Sequence, residues 1–196
     1  MRRIALLGAG LIAGMILSSA PAAFAMPPSY SSQFPAMVSS GGGGERPLAS
    51  PIPRQTVAYS GPYAPGTIVV STSERRLYFV LPDGQALRYG VGVGRPGFTW
   101  AGASYVANKR EWPDWTPPAQ MLLRRPDLPR HMEGGIENPL GARALYIAGT
   151  LYRIHGSNEP DTIGQAVSSG CIRMTNDDVV DLYGRASVGA RVVVLR

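Results

Sequence analysis

A mainly β, single-domain fold with one or two short helices is the architecture this sequence predicts, and three observations carry it. Short runs rich in β-branched and aromatic residues recur from Thr67 onward. Glycine and proline, 24 and 18 of the 196 residues, punctuate those runs and leave little room for long helices. One segment alone, beginning at Thr175, carries helical spacing behind a capping signal. The part expected to fold is about 130 residues, enough for one hydrophobic core.

The N-terminus reads as a secretory leader over residues 1–25. Arg2 and Arg3 form the charged region, Ile4 to Leu17 the apolar region, and Ala23-Phe24-Ala25 the small-residue cleavage site. Gly8, Gly10 and Gly14 interrupt the apolar run, which falls short of the roughly 18–20 residues a spanning helix needs. Residues 26–64 read as a disordered linker. Pro27-Pro28, the serine-rich Ser29 to Ser40, Gly41 to Gly44 and Pro47, Pro51 and Pro53 leave little to bury. Such a tether lets a domain reach outward from a membrane or wall surface.

Strands are expected at Thr67–Ser71 and Arg76–Leu81. Pro82-Asp83-Gly84 then turns the chain into a third run, Gln85 to Val93, as a hairpin. Gly90, Gly92 and Gly94 do not make a nucleotide loop, because no helix pattern follows them; they read as a strand ending in a glycine-permitted bend. Residues 95–140 are expected to be dominated by turns. Within them Trp112-Pro113-Asp114-Trp115-Thr116-Pro117-Pro118 is too proline-rich for a helix or central strand. A loop this long is a binding loop or lid, or is packed onto the core by its tryptophans. Ala144–Ala148 and Thr150–Ile154 read as adjacent strands, the second leading into His155. At Thr175 a capping-box pattern with Asp178 opens a helix; Val179, Val180, Leu182 and Tyr183 form its apolar face and Gly184 is expected to close it. Arg191–Leu195 is a terminal strand.

The net charge is +6, and the mature chain is mildly basic. No basic cluster or aromatic-interleaved stripe points to nucleic acid. An anionic wall polymer or a membrane surface is the better match. The chain has one cysteine, Cys171, and two histidines, His131 and His155. That set cannot fill a four-ligand zinc site without carboxylates at suitable spacing, so no metal and no cofactor are expected. An exported protein with one cysteine cannot pair it internally, which leaves an intermolecular bridge, a buried inert thiol or a reactive thiol. An imidazole near a thiol can take its proton and later return it to a leaving amine, while backbone N–H groups hold the developing oxyanion. Gly170 beside Cys171 permits the sharp turn such a site needs.

Several separated motifs resemble one family. Ile154-His155-Gly156-Ser157-Asn158-Glu159-Pro160, then Ser168-Ser169-Gly170-Cys171-Ile172-Arg173-Met174, is similar to the catalytic core of the L,D-transpeptidase (YkuD) family. Trp112–Pro118, Asn138-Pro139-Leu140-Gly141-Ala142-Arg143-Ala144-Leu145-Tyr146 and Val188-Gly189 before the last strand resemble it too. The resemblance implies a β-sandwich catalytic domain over residues 65–196, placed in the periplasm or cell envelope. It implies Cys171 as the nucleophile, attacking the bond between the L-centre of a peptidoglycan tetrapeptide stem and its terminal D-alanine. His155 would be the base, oriented by the Gly156 carbonyl, with Ser169, Gly170 and Cys171 supplying the oxyanion hole. Arg173 would steer a stem carboxylate or make a structural ion pair. Asn138, Arg143 and Trp112 are further candidates for substrate contact, and His131 reads as surface or lid. The expected partners are peptidoglycan stem peptides, with possible attachment to the wall or membrane surface, and the expected state is a monomer.

One position departs from the pattern. The family often has histidine immediately before the Gly-Cys pair, and here it is Ser169. Since His155 occupies the base position, activity is expected to survive that change. The acyl acceptor stays open between a second stem, a protein amine, water (an L,D-carboxypeptidase) and a free D-amino acid. A papain-like or NlpC/P60 peptidase would place cysteine before histidine, opposite to the order here. A non-catalytic wall-binding module is the remaining alternative.

Overall fold

The turn at Pro82-Asp83-Gly84 organises the first half of the domain. Asp83 and Gly84 both adopt positive φ, 57° and 64°, the left-handed geometry that reverses a hairpin tightly. Strands β3 (Arg76–Leu81) and β4 (Gln85–Gly90) pair antiparallel across it, with Leu81 opposite Gln85. The computed structural model describes residues 50–196. The expected leader and most of the expected linker therefore lie outside the described residues.

The linker expectation ran to residue 64, and the structure corrects its end. Gln55–Ala58 forms strand β1, paired antiparallel with β4 from Gln55↔Arg88 to Ala58↔Gln85. Its side chains are largely exposed, so no apolar pattern marked it; ladder hydrogen bonds to a strand that already exists hold it. Before it, Arg54 reaches across to Asp181 at 3.3 Å, tying this segment to the helix near the C-terminus.

The remaining strands are β2 (Ile68–Ser71), β5 (Val93–Gly94), β6 (Gly102–Glu111), β7 (Arg143–Ile147), β8 (Arg153–His155), β9 (Ala166–Ser168), β10 (Ile172–Arg173) and β11 (Arg191–Leu195). The main sheet runs β1-β4-β3-β2-β11-β6-β7-β8-β10, and β5 pairs with β9 in a small separate sheet. Strand β6 corrects the expectation that residues 95–140 are mostly turns. Its first half pairs with β11 (Ser104↔Val192) and its second half with β7 (Lys109↔Leu145), with a register shift between Val106 and Asn108. Along the strand only Val106 is buried. A strand held by its neighbours rather than by its own side chains has no period-2 signature to read.

Among the described residues two α-helices complete the fold. Helix α1 (Ala119–Arg124) is a single exposed stretch within the long loop. Helix α2 (Asn176–Arg185) starts where expected, with Thr175 Oγ1 accepting from the Asp178 N–H at 3.3 Å. It ends later than expected: Gly184 lies inside it, and Ala186 N–H still donates to Leu182 O at 2.9 Å. The bidentate pair from Arg185 to Asp181, 2.8 and 2.9 Å, carries the last turn past the glycine. Val179 and Leu182 of α2 join Ile68, Leu77, Tyr89, Val106, Leu145, Ile154, Ile172 and Val192 in one core. Burying such side chains contributes about 1.5–3 kcal/mol each, which fixes the strands that present the site. Among the described residues no helix is long and apolar enough to cross a membrane.

Candidate active site

The site arises from a parallel pairing between two short strands. β8 and β10 align with Ile154 opposite Ile172 and His155 opposite Arg173. Both isoleucines are buried, so this register is set by the core. Continued one step back, it sets Cys171, just before β10, level with Arg153 at the start of β8, two residues before His155 and on the same side of the strand pair. The crossover between them contains a 3-10 turn (Pro160–Thr162) and β9. Met174 N–H donates to His155 O at 2.8 Å and closes the pairing beyond the histidine.

His155 is buried, and its Nδ1 lies 2.6 Å from the Gly156 carbonyl oxygen. A carbonyl only accepts, so Nδ1 carries the proton and Nε2 keeps its lone pair. Burial lowers the imidazole pKa to about 3, opposed by the Gly156 carbonyl and reinforced by the nearby cations Arg173 and Arg153. The ring is neutral at physiological pH. Gly156 must be glycine: a Cβ there would overlap the side-chain oxygen of Asn176. Asn176 Oδ1 in turn accepts from Ala142 N–H at 2.9 Å, which locks this corner to the first turn of α2.

Cys171 is a free thiol at the end of a tight turn. Burial raises its pKa, while the backbone and guanidinium of Arg153 and the charge of Arg173 oppose the rise. Thiol and imidazole are therefore each neutral at rest. Ser168 Oγ donates to Cys171 O at 2.6 Å and accepts from Gly170 N–H at 3.1 Å. That hydrogen bond corrects one expectation, because the Gly170 N–H is already engaged and not free for an oxyanion. The N–H groups of Ser169 and Cys171 donate to nothing among the described residues. Gly170 serves differently: its φ is 111°, and its missing side chain makes room for the Tyr152 ring.

Arg153 is a site residue that sequence reasoning missed. Its Nε is buried with no hydrogen-bond partner among the described residues, its Nη1 donates to Leu151 O at 3.3 Å, and its Cζ lies 5.2 Å from the centre of the Tyr146 ring. Its guanidinium also faces the Cys171 sulfur and favours the thiolate. Arg153→Met is expected to shift the pH dependence of Cys171 alkylation by iodoacetamide upward while leaving the limiting rate at high pH in place. An unchanged profile would remove Arg153 from the thiol's electrostatics.

The other expected residues divide. Ser169 sits on the rim, its Oγ accepting from Arg95 Nη1 at 3.2 Å. Arg173 makes the structural ion pair, 2.8 Å to Glu159, which was one of its two expected readings. Asn138 is not available to a substrate. It is buried and donates to Pro113 O (3.1 Å) and Glu133 O (2.9 Å) while accepting from Leu140 N–H (2.9 Å), so it staples the loop. Arg143 is also structural, buried between Ala142 O at 2.7 Å and Glu111 at 3.1 Å. Trp112 lines a shallow cleft of about 380 Å³ with Arg110, Asp114 and Tyr146, and neither Cys171 nor His155 borders that cleft. His131 is exposed, 3.4 Å from Thr116, as a surface residue would be. Trp100 is a second residue missed: its indole N–H donates to Gly170 O at 3.0 Å and its ring stacks on Tyr152 at 5.2 Å. A lone tryptophan in a glycine-rich stretch gave no signal for that. Gly92 exchanges hydrogen bonds with Arg173 at 2.9 and 2.8 Å, and a Cβ there would press on Thr162 O and the Arg173 side chain. Its glycine serves close strand approach, not a nucleotide.

The family model for the L,D-transpeptidase catalytic domain (YkuD) matches residues 65–194. The chain is 39% identical over 137 residues to the probable L,D-transpeptidase ErfK/SrfK of Escherichia coli K12, covering 65% of this chain and 43% of that protein. It thus spans less than half of that relative's length. A solved Brucella melitensis structure, described as a probable carnitine operon oxidoreductase, is 43% identical with a TM-score of 0.51, covering 76% of this chain and 96% of that one. L,D-transpeptidase 3 of Mycobacterium tuberculosis, solved with a faropenem-derived adduct, shares the fold at 18% identity and TM-score 0.52, over 66% of this chain and 60% of that one. The order of motifs agrees with the family match over residues 65–194: the chain belongs to the L,D-transpeptidase catalytic domain (YkuD) family.

Proposed function

We propose that this protein is an exported L,D-transpeptidase that uses Cys171 as nucleophile and His155 as base on peptidoglycan tetrapeptide stems. The observation that carries this reading is the parallel β8/β10 register, which supports a thiol and an imidazole on one side of the strand pair, two residues apart in level, with the His155 Nδ1–H held by Gly156 O at 2.6 Å. As Sγ bonds to the carbonyl carbon, the thiol proton passes to Nε2 and the carbonyl oxygen becomes an oxyanion. The uncommitted N–H groups of Ser169 and Cys171 are suited to receive it. Collapse breaks the carbon–nitrogen bond, Nε2 returns the proton to the leaving D-alanine amine, and the acyl group stays on sulfur as a thioester. An amine on a neighbouring stem then attacks that thioester, loses its proton to Nε2, and regenerates the thiol as the peptide cross-link forms.

The leader pattern at residues 1–25 supports export to the cell envelope, and the proline- and glycine-rich residues that follow support a tethered domain. Thiol and imidazole come from one chain, which supports action as a monomer. Incubation of the purified protein with a disaccharide-tetrapeptide, followed by mass analysis, tests the reaction. D-alanine release with a dimer product is expected, and Cys171→Ala is expected to lose both. Carbapenem should add covalently to Cys171. No D-alanine release and no adduct would leave a wall-binding module in place of an enzyme.

A further inference from the structure

The segment Arg95-Pro96-Gly97-Phe98 borders the turn that carries Cys171. Phe98 N–H donates to Arg95 O at 2.9 Å, with proline at the second position and Gly97 at φ 85° in the third. This is a type II turn, whose third position demands glycine. It brings the side chains of residues 95 and 98 together, and the Arg95 Cζ lies 4.1 Å from the centre of the Phe98 ring. The turn is fastened to the catalytic loop twice. Arg95 N–H donates to Ser168 O at 3.0 Å, and Arg95 Nη1 donates to Ser169 Oγ at 3.2 Å.

A second cation reaches the same ring. Arg124, the last residue of α1, has its Cζ 5.6 Å from the Phe98 centre. Among the described residues no carboxylate pairs with Arg95 or Arg124, whereas Arg54, Arg125, Arg143, Arg173 and Arg185 all have acidic partners. Two guanidiniums gathered at one aromatic ring repel each other, a repulsion that an anion beside them would relieve. Arg95 is half-buried and anchored in position, so its planar fork is already oriented for bidentate contact. Among the described residues the only polar group its guanidinium engages is Ser169 Oγ, two residues from Cys171.

We propose that Arg95 and Arg124, arrayed on Phe98 beside Ser169, form a carboxylate-binding subsite that seats an anionic group of the substrate next to the Cys171 thiol. This deepens the transpeptidase reading and rests on it for the substrate's identity, but not for the existence of the subsite. Ser169 takes part as a small neutral acceptor that aligns Arg95. A stem tetrapeptide offers two such carboxylates near the scissile bond: the C-terminus of the leaving D-alanine and the side-chain carboxylate of the diamino acid.

Two measurements on the full chain test this. The first compares alkylation of Cys171 by iodoacetate, an anion, with alkylation by iodoacetamide, its neutral analogue. The rate ratio cancels intrinsic thiol reactivity. The ratio is expected to fall severalfold in Arg95→Gln/Arg124→Gln, to be kept by Arg95→Lys/Arg124→Lys, and to stay at the wild-type value in Arg88→Gln on the β1/β4 edge. An unchanged ratio in the double glutamine variant overturns the subsite. The second compares D-alanine release from the free stem with release from stems amidated at one carboxylate or the other. The amide at the seated carboxylate is expected to lower kcat/KM about 10- to 100-fold in the wild type, the range for a charge-assisted hydrogen bond. That penalty should vanish in the double glutamine variant, and the amide that carries it identifies which carboxylate is seated. Equal penalties in wild type and variant overturn the proposal. A fall in the alkylation ratio without turnover of any stem supports the subsite and rejects the transpeptidase reading instead.

Discussion

Replacing His155 with glutamine is expected to lower kcat/KM for D-alanine release by about 10²–10⁴-fold, the range for loss of a general base. The same substitution should change the acid stability of the fold. His155 is held neutral by burial, with its pKa lowered to about 3 from an ordinary 6.5. Between those values the unfolded chain binds a proton that the folded chain refuses. The histidine's contribution to stability is therefore complete above pH 6.5 and is lost as pH falls toward 3, by about 4–5 kcal/mol in all. Chemical denaturation of wild type and His155→Gln across this window checks it: the wild type should lose stability more steeply. Parallel curves would mean that the ring is hydrated and ordinary. The kinetic counterpart concerns substrate charge. Arg153 and Arg173 help hold the ring's affinity for protons down, and a bound anion counteracts them. The acid limb of kcat should thus lie at higher pH than that of kcat/KM, since the two report the bound and the free enzyme.

Gly170→Ala is expected to abolish activity and to destabilise the domain by about 1–3 kcal/mol for the backbone conformation alone, before any steric overlap is counted. At φ 111° an L-residue is strained, and the new methyl group would drive into the Tyr152 ring. That ring stacks on Trp100, whose indole N–H holds the carbonyl of Gly170 itself. Relief by moving Tyr152 would therefore release the peptide that positions Cys171. Thermal melting and carbapenem adduct formation separate the two effects: a lowered Tm with no adduct is expected. Gly170→Ala in combination with Tyr152→Ala should recover part of the stability, since the overlap is gone, but little activity, since the Trp100 stack is gone too. Full recovery of activity would show that the ring only crowds the turn.

Much of this site was legible before any coordinates. The order of His155-Gly156 and Ser169-Gly170-Cys171, each at the end of a short β-rich run, is a local pattern; the β8/β10 register, which sets Cys171 level with Arg153 and on the same side as His155, is not. The hairpin at Asp83-Gly84 and the Thr175 cap were legible for the same reason: they rest on conformations that few residue types adopt. Asn138 and Arg143 were misread, because a polar residue inside a motif looks the same whether it faces a ligand or a neighbouring carbonyl. Only the fold shows that Asn138 donates to Pro113 and Glu133. Strands β1 and β6 escaped because partners elsewhere in the chain hold them. Arg153, Trp100 and Arg95 escaped because their roles lie in contacts with Cys171, Gly170 and Ser169, far away in sequence.

The sequence by itself thus determined the class of fold, the thiol and imidazole, and the glycine that shapes their turn. These follow from residue chemistry and from short-range backbone geometry. Tertiary structure alone decided the protonation of the pair, since burial sets the neutral state of both His155 and Cys171. It also decided which N–H groups remain for an oxyanion and which cations gather at the rim. Desolvation and hydrogen-bond satisfaction depend on everything packed around a group, and no local stretch of sequence contains that information.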